Sequence, residues 1–564
     1  MAIQSAFFSS RMRMAPVQKA KYGTAGLNAK AASTAASPGA ASRLFLALWA
    51  QVWSLQLMKE WHILRSKTPS PLGAAVVLVL AGAVVESSLL AFSQRRVAPR
   101  AARLAVAGLV YCALRGSSSN HIVLQGLVCV LTLESYLRSW RRACDDAFGD
   151  ALAAGARALL GALYFVTAVA KCNDDWVDAE ASCAVLYTVA GGVEVGIKWW
   201  PAQMLAWLPY GALAGEFGLA GALLVADRMP DAARLVLVTT AAVFHVGLAT
   251  PRPPLSVYPF SMLMAPLFAA ATAGGRGRSA AADAWPWPSA VVSAEGALLL
   301  AIAFSEMGET SAEYPPYGSW RVGLAWCIFA FQAVVGRAYD RVRRGTPEDN
   351  GRPARRFARP AVLAAVLTLA VGAAPYLGLR THPTFGMFSN LRVEEPSNHW
   401  FLGRFAARGF DKFAGGAVRV DATSLPAVAS LNVDLGRWLV PHTAAALRRA
   451  GAATQFFIAP PAAQWPPNAF PAPSNHDNFA TLNKPVFTYR HELRRRIADA
   501  LPKTRGAFFV DYVDGAGEQR RFERFDNGTL SPGSDADLAK PLQPLQALLF
   551  RYRPFDQDVS PCRH

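Results

Sequence analysis

The feature that most constrains this chain is a succession of long apolar runs separated by short charged loops. Residues 151–170 form one such run with Arg157 as its single charge, and a helix of about twenty apolar residues matches the thickness of a bilayer. Of the 564 residues, 52% are hydrophobic and only 17% are charged, which favours a polytopic membrane protein over a large soluble one. We therefore predict an all-α membrane helix bundle of about ten spans, near residues 72–93, 102–114, 121–139, 151–170, 203–226, 232–249, 257–272, 289–305, 321–336 and 359–379.

The basic charge of the chain is interpreted as a signal of membrane orientation. The formal net charge is +18, but most Lys and Arg residues lie in short loops between apolar runs, so we do not expect nucleic-acid binding. When the spans are counted, four Arg-rich loops fall on one side, which the positive-inside rule makes cytosolic or stromal. They contain Arg95, Arg138, Arg276 and Arg337. Lys171 and the chain after Arg380 are then predicted on the opposite, luminal face.

Composition divides the chain into three parts. Residues 1–59 contain no Asp or Glu and fit either a transit peptide or a disordered basic cytosolic tail. Residues 60–380 hold the predicted spans, and the short apolar stretch 41–57 before them fits an interfacial helix as well as a span. Residues 381–564 have the composition of a soluble domain, predicted as a small luminal α/β domain. It has a helix at 487–501 and a hairpin at Asp514-Gly515.

The cysteines and one glycosylation sequon give little information on the cellular compartment of the protein. The seven cysteines show no C-x-x-C spacing, so we expect neither a zinc site nor a disulfide framework. Asn527-Gly528-Thr529 is a glycosylation sequon that is usable only in the lumen of a secretory membrane. The membrane is expected to be that of the endoplasmic reticulum or of a plastid.

Lys171 lies where the apolar run 151–170 ends and an acidic turn begins. It is explained either as a snorkelling residue at the membrane surface or as a base that faces a cavity, because an amine taken out of water holds its proton less tightly. Asp174 and Asp175 oppose the second explanation if they pair with Lys171, since a nearby negative charge keeps an amine protonated.

Other ionisable residues also fall inside apolar runs. His121 and His245 are expected near the same membrane face as Lys171, and groups of this kind usually face a cavity or a partner. Four carboxyl groups either pair with Arg or His between helices or are held neutral; these belong to Glu86, Glu134, Glu216 and Glu295.

Several short motifs resemble those of a known superfamily. Ala170-Lys171-Cys172-Asn173-Asp174-Asp175-Trp176 resembles the Lys-x-Asp/Asn-x-Asp-Trp turn of vitamin K-dependent gamma-glutamyl carboxylases. Asn120-His121, and Phe244-His245 followed by Phe260-Ser261, are similar to further motifs of that family in the same order. The same features define the horizontally transferred transmembrane (HTTM) domain, and residues 381–392 with Ser397-Asn398-His399 resemble a bacterial and algal HTTM subgroup. The resemblance covers roughly residues 70–400.

The resemblance implies a membrane enzyme that uses a quinol. Lys171 would be the base that deprotonates reduced vitamin K or a related quinol, with His121 and His245 in support, and no metal is implied. Asn120, Phe260 and Ser261 would bind the cofactor, with O₂ and CO₂ as co-substrates. The partners expected are membrane lipid, the lipid-soluble quinone and a protein or peptide glutamate.

The chain departs from the animal carboxylases at two points. The part after Arg380 is shorter than their luminal region, which takes part in holding the protein substrate. Ala170 stands where the animal enzymes have a second lysine. A non-enzymatic binding protein or transporter with a luminal cavity is therefore the alternative to a carboxylase-like enzyme.

Overall fold

The computed structural model of the chain is mostly helical and has a small sheet near its C-terminus. In the helical part it describes residues 40–66, 71–90, 97–115, 119–140, 145–179, 181–197, 200–251, 257–272, 318–344 and 359–381. Beyond these it describes residues 415–429, 438–439, 457–458, 546 and 552, and most of 383–402 and of 486–543. The predicted span at 289–305 lies outside these residues.

The regular elements described between residues 40 and 373 are all helices. They are α1 (Ala40–Ser66), α2 (Pro71–Leu90), α3 (Val97–Arg115), α4 (Asn120–Trp140), α5 (Asp145–Ala170), α6 (Asp174–Val177), α7 (Cys183–Glu194), α8 (Ala202–Leu224), α9 (Asp231–Ala249), α10 (Tyr258–Ala271), α11 (Gly318–Arg344) and α12 (Arg359–Ala373). Four stretches within them are long and apolar enough to cross a membrane: Asn120–Trp140, Ala147–Ala170, Asp231–Ala249 and Trp320–Arg343. A membrane protein is thus supported, while the count of about ten spans and their orientation stay predictions.

Helix α5 lies at the centre of the bundle, packed against α4, α8, α10 and α12. Small residues allow these close approaches, as they do between membrane helices generally. A Cβ atom on Gly155 would lie 2.0 Å from Leu131 of α4, and one on Gly372 of α12 would lie 2.5 Å from the Cβ atom of Val166. These contacts fix the position of the α5 end that carries Lys171.

Helix α1 is part of the bundle. Trp49 and Trp53 are fully buried, and the indole of Trp326 on α11 donates a hydrogen bond to Gln51 Oε1 at 3.1 Å. The apolar stretch 41–57 therefore packs among the other helices, and α1 continues past residue 59 to Ser66.

The C-terminal region contains a four-stranded antiparallel sheet in the order β4–β1–β5–β6. Its strands are β1 (Ala417–Thr423), β4 (Val486–Tyr489), β5 (Phe508–Val513) and β6 (Gln519–Arg524); β2 (Trp438–Leu439) and β3 (Phe457–Ile458) form a separate parallel pair. The short helix α13 (Pro426–Ala429) and the longer α14 (Arg490–Ala500) complete the region, together with one turn of 3₁₀ helix, Ala536–Ala539. The predicted hairpin is confirmed, because β5 and β6 pair around Asp514-Gly515.

One prediction in this part of the chain is corrected. The helix expected at 487–501 begins only at Arg490, because Val486–Tyr489 pairs with β1 as a strand. Separately, Cys183 at the start of α7 is disulfide-bonded, and the spacing of cysteines along the sequence does not reveal such a single bond.

The close approach of α12 to α5 gives a first prediction. Gly372→Ala should lower the free energy of unfolding by roughly 1–3 kcal/mol, because the rigid, β-branched Val166 cannot move away from the added methyl group. Gly336→Ala on α11 is the matched control, since nothing lies within 4 Å of its Cβ position. The measurement is denaturant unfolding in detergent, and equal stability of the two variants would contradict this packing.

Candidate functional site

Lys171 forms a buried ion pair with Glu216 of α8. Its Nζ atom lies 2.9 Å from both carboxylate oxygens of Glu216, and the two residues are 8% and 4% exposed. The lysine side chain points back along α5, as helical side chains do, so that Nζ also lies 3.4 Å from the Thr167 carbonyl oxygen. Lys171 is therefore turned into the protein interior and not extended into solvent.

Trp176 covers the other side of the ammonium group. Lys171 Nζ lies 5.1 Å from the centroid of the indole ring, within the range of a cation–π interaction. The indole Nε1 donates to the Pro209 carbonyl oxygen of α8 at 3.1 Å, and Trp176 is 3% exposed. Trp176 therefore packs inside the site.

The acidic turn after Lys171 is organised by Asn173. Its Oδ1 accepts the backbone N–H of Trp176 at 2.8 Å and so caps the short helix α6. Its Nδ2 donates to the carbonyl oxygens of Ala170 and Ser389, at 2.9 and 2.8 Å. The asparagine in the Lys-x-Asn-x-Asp-Trp turn thus holds the chain reversal that places Trp176 against Lys171.

The two aspartates of this turn are not the partners of Lys171. Asp175 Oδ2 accepts from the side-chain amide of Asn398 at 2.8 Å, and Asp174 Oδ1 accepts from the indole of Trp400 at 2.9 Å. Both aspartates therefore attach the turn to the segment around Asn398. The carboxylate that pairs with the lysine comes from a different helix.

Described residues between Ser389 and Leu402 lie against the end of α5. The backbone N–H of Trp400 donates to the Cys172 carbonyl oxygen at 3.1 Å, and Asn173 and His399 form an isolated antiparallel bridge. His399 Nδ1 accepts the backbone N–H groups of Phe401 and Leu402, at 3.2 and 3.1 Å. Its other ring nitrogen then carries the hydrogen and donates to the Val169 carbonyl oxygen at 2.9 Å. His399 is therefore neutral in this arrangement.

His245 lies in the interior of the bundle, apart from Lys171. It is 1% exposed, its Nε2 lies 2.6 Å from the Tyr164 hydroxyl, and its ring stacks on Phe331 with 5.9 Å between centroids. Among the described residues, nothing hydrogen-bonds to its Nδ1. Tyr164 belongs to α5, two turns before Lys171, so the two polar pairs lie along the same helix.

His121 and Asn120 have local partners. His121 is half-buried and hydrogen-bonds to the Ser119 hydroxyl, 3.0 Å from Nδ1. Asn120 Oδ1 accepts the backbone N–H of Phe385 at 2.9 Å, which holds Phe385 in the left-handed region at φ 61°, a rare conformation for a residue other than glycine. The side chain of Lys171 contacts Glu216, Thr167 and Trp176. The expectation that His121 and His245 lie near the same membrane face as Lys171 stays a prediction.

Phe260 and Ser261 lie at the start of α10. Phe260 packs edge-on against Phe385, with 6.3 Å between ring centroids. Ser261 is fully buried, and no described residue hydrogen-bonds to its hydroxyl. Gln125, which the sequence did not single out, lies one turn after His121 on α4 and is also fully buried, with both amide atoms lacking a partner among the described residues.

Sequence reasoning also missed the role of Glu216. It was one of four carboxyl groups in apolar runs, and a lysine partner was not considered for it. The available signal was that Glu216 is the single charged residue in Ala202–Leu224. A charge isolated in this way needs a partner on another helix.

Comparison of the chain with protein-family models, curated proteins and solved structures finds no match. The resemblance to the carboxylases and to HTTM proteins therefore stays a prediction based on the motifs described above.

The Lys171–Glu216 pair gives a second prediction. Lys171→Met or Glu216→Leu alone should lower the free energy of unfolding by about 3–5 kcal/mol, because each leaves a buried charge without its partner. The double variant should recover most of that loss, since two apolar side chains need no charge compensation. A double-mutant cycle by denaturant unfolding in detergent measures the coupling.

The matched control for this cycle is Lys540–Asp537. This pair has a similar distance of 2.7 Å, but its side chains are 66% and 61% exposed, so its coupling should be small. Additive effects of the two changes at Lys171 and Glu216 would contradict the buried pair.

His399 gives a third prediction, on pH dependence. Burial lowers the pKa of His399 below its usual 6.5, although the hydrogen bond to the Val169 carbonyl opposes this effect. The unfolded chain therefore binds a proton at a higher pH than the folded protein does. Stability from this group is present above about pH 6.5 and is lost as the pH falls toward the folded pKa.

The test is the unfolding midpoint measured between about pH 5 and 7.5. His399→Gln keeps a side chain that donates hydrogen bonds but does not titrate, so its midpoint should change less over this range than that of the wild type. The same slope in both proteins would show that His399 does not cause the pH dependence.

Proposed function

We propose that the chain is a multi-pass membrane enzyme of the HTTM and vitamin K-dependent carboxylase-like type, in which the Lys171–Glu216 pair takes the proton of a lipid-soluble quinol. The observation that supports this proposal most is the burial of the pair, with Nζ 2.9 Å from both carboxylate oxygens. Buried ionisable groups in a helix bundle are costly and often mark a proton path or a reaction site.

One proton is shared between Lys171 and Glu216, and the pair can accept a second proton whichever of the two residues holds the first. When Lys171 is an ammonium group, it has no lone pair, and the accepting atom is a carboxylate oxygen of Glu216. When the shared proton lies on Glu216, the amine of Lys171 is the acceptor. The two groups therefore act as one base, and protonation belongs to the pair and not to either residue. The resemblance implies Lys171 alone as the base, whereas this proposal makes Glu216 part of the same base.

Three residues of α4 and α10 fit a quinol. Such a ligand needs apolar surface and a few hydrogen-bonding groups for its ring oxygens. Phe260 offers an aromatic face, and Ser261 and Gln125 carry buried polar atoms for which no described residue is a partner. These three would hold the ring and its oxygens. The side-chain oxygen of Asn120 is engaged by Phe385, so we assign Asn120 to positioning and not to direct binding.

The resemblance implies that a bound quinol, together with O₂, would supply a base stronger than any side chain. The residues of this chain have simpler tasks. Lys171 and Glu216 accept a hydroxyl proton, while Trp176 and the chain around His399 keep water away from the pair. CO₂ and a protein or peptide glutamate are the proposed co-substrates.

The luminal placement of the site is part of the proposal. The disulfide at Cys183 supports it, because disulfides persist in oxidising compartments, and Cys183 follows the Lys171 turn by only a short connection. The membrane would be that of the endoplasmic reticulum or of a plastid.

A non-enzymatic binding protein or transporter is the second candidate. It is favoured by the buried polar atoms of Gln125 and Ser261, and by His245 Nδ1, which lack partners among the described residues. A bound molecule could satisfy them without any reaction.

The fourth prediction distinguishes the two candidates. Purified protein in nanodiscs receives reduced vitamin K, O₂, labelled CO₂ and a Glu-rich peptide, and both quinone epoxide and peptide label are followed. The wild type should form epoxide, and Lys171→Ala and Glu216→Gln should each reduce it by at least about 100-fold, because each removes one half of the base. Lys540→Ala is the control and should retain full activity.

The outcomes separate the parts of the proposal. Epoxide that depends on both residues, without label in the peptide, would keep the quinol chemistry and exclude this peptide as substrate. No epoxide from a folded wild-type protein, or full epoxidation by folded Glu216→Gln, would contradict the proposal.

A further inference from the structure

The glycosylation sequon Asn527-Gly528-Thr529 is a motif that the proposed function does not use. It is the single Asn-x-Ser/Thr sequence in the chain, and it follows closely after β6, the edge strand of the four-stranded sheet. An asparagine in such a sequence receives an N-linked glycan on an accessible surface in the lumen of a secretory membrane. Both conditions, accessibility and compartment, can be compared with the structure.

The sequon forms an exposed turn that backbone hydrogen bonds close. The backbone N–H of Phe525 donates to the Thr529 carbonyl oxygen, and that of Gly528 donates to the Phe525 carbonyl oxygen, both at 2.9 Å. Gly528 has φ 85°, a left-handed conformation that glycine adopts readily. Residues 525–529 are all exposed, and exposed loop tips accept added groups without disturbing a core. The turn therefore has room for a bulky modification at Asn527.

The Asn527 side chain leaves its amide nitrogen, the atom to which a glycan is attached, without an acceptor. Its Oδ1 accepts hydrogen bonds from the backbone N–H and the hydroxyl of Thr529, at 2.9 and 2.7 Å, as in Asx turns. Because a backbone N–H group only donates, the atom in this contact is the oxygen. Among the described residues, none accepts a hydrogen bond from Nδ2.

The domain that carries the sequon packs at the same end of the helix bundle as the disulfide-bonded Cys183. Ala170 at the end of α5 and Tyr489 of β4 belong to one buried apolar cluster. Cys183 and Trp176 share a second cluster, next to Lys171. Disulfides persist in oxidising compartments, of which the lumen of the endoplasmic reticulum is one. The compartment that suits Cys183 is thus the one in which the sequon can be used.

We propose that Asn527 carries an N-linked glycan in the lumen of a secretory membrane. The inference rests on the luminal placement that is part of the proposed function, and it is independent of the quinol chemistry. It also selects the secretory membrane over that of a plastid.

The test is expression of the full chain in a eukaryotic cell, followed by gel electrophoresis before and after treatment with peptide-N-glycosidase F. We expect the enzyme to shift the wild type to a single band of lower mass. Asn527→Gln and Thr529→Ala should show no shift, whereas Thr529→Ser should retain it, because serine keeps the hydroxyl that the sequon requires. Mass spectrometry of the tryptic peptide that contains Asn527 identifies the attached sugar.

A second form of the protein reports the compartment separately. It carries a C-terminal extension with its own Asn-x-Thr sequence, placed in the Asn527→Gln background. Glycosylation of the extension, with no glycan on the wild type, would overturn the inference and leave the luminal placement standing. No glycan on either would mean that both the inference and the luminal placement are wrong. The epoxide assay described above judges the quinol chemistry in either case.

Discussion

The ion pair between Lys171 and Glu216 is the interaction on which this structure depends most. Each charge would be costly in the interior of a helix bundle without the other, so the pair requires α5 and α8 to stay in register. That register depends on the packing of α5 against its neighbours, including the contact of Gly372 with Val166. Stability and proposed chemistry therefore rest on the same pair, which explains why a lysine at a helix end is turned inward.

The segment around Asn398, called here the covering segment, packs on the turn that follows Lys171. Asn173, Asn398 and His399 bond the turn after α5 to the covering segment. Beyond it, the Tyr552 hydroxyl donates to the Gly378 carbonyl oxygen at 2.9 Å, and the Tyr552 ring packs on Tyr489 with 4.7 Å between centroids. The C-terminal domain thus helps to hold the cover over the site, a structural role that does not require binding of a protein substrate.

Local patterns were predictable from the sequence, and partnerships between distant residues were not. The apolar run that ends at Lys171 and the turn at Asp514-Gly515 each follow from neighbouring residues, and the structure has a helix and a hairpin there. Four carboxyl groups lay in apolar runs, and nothing in the sequence indicates which of them meets the lysine. Phe487–Tyr489 was included in the predicted helix, but Val486-Phe487-Thr488-Tyr489 are β-branched and aromatic residues that favour strands, and they pair with β1. The resemblance pointed to Lys171, whereas Glu216 became visible only in three dimensions.

The measurement that tests this account most directly is an experimental structure of the full chain in nanodiscs, at a resolution that shows side chains. The account predicts that Lys171 Nζ lies within hydrogen-bond distance of the Glu216 carboxylate, beneath Trp176 and closed off from solvent. A lysine that extends to the membrane surface or pairs with Asp174 or Asp175, with Glu216 bound elsewhere, would contradict it.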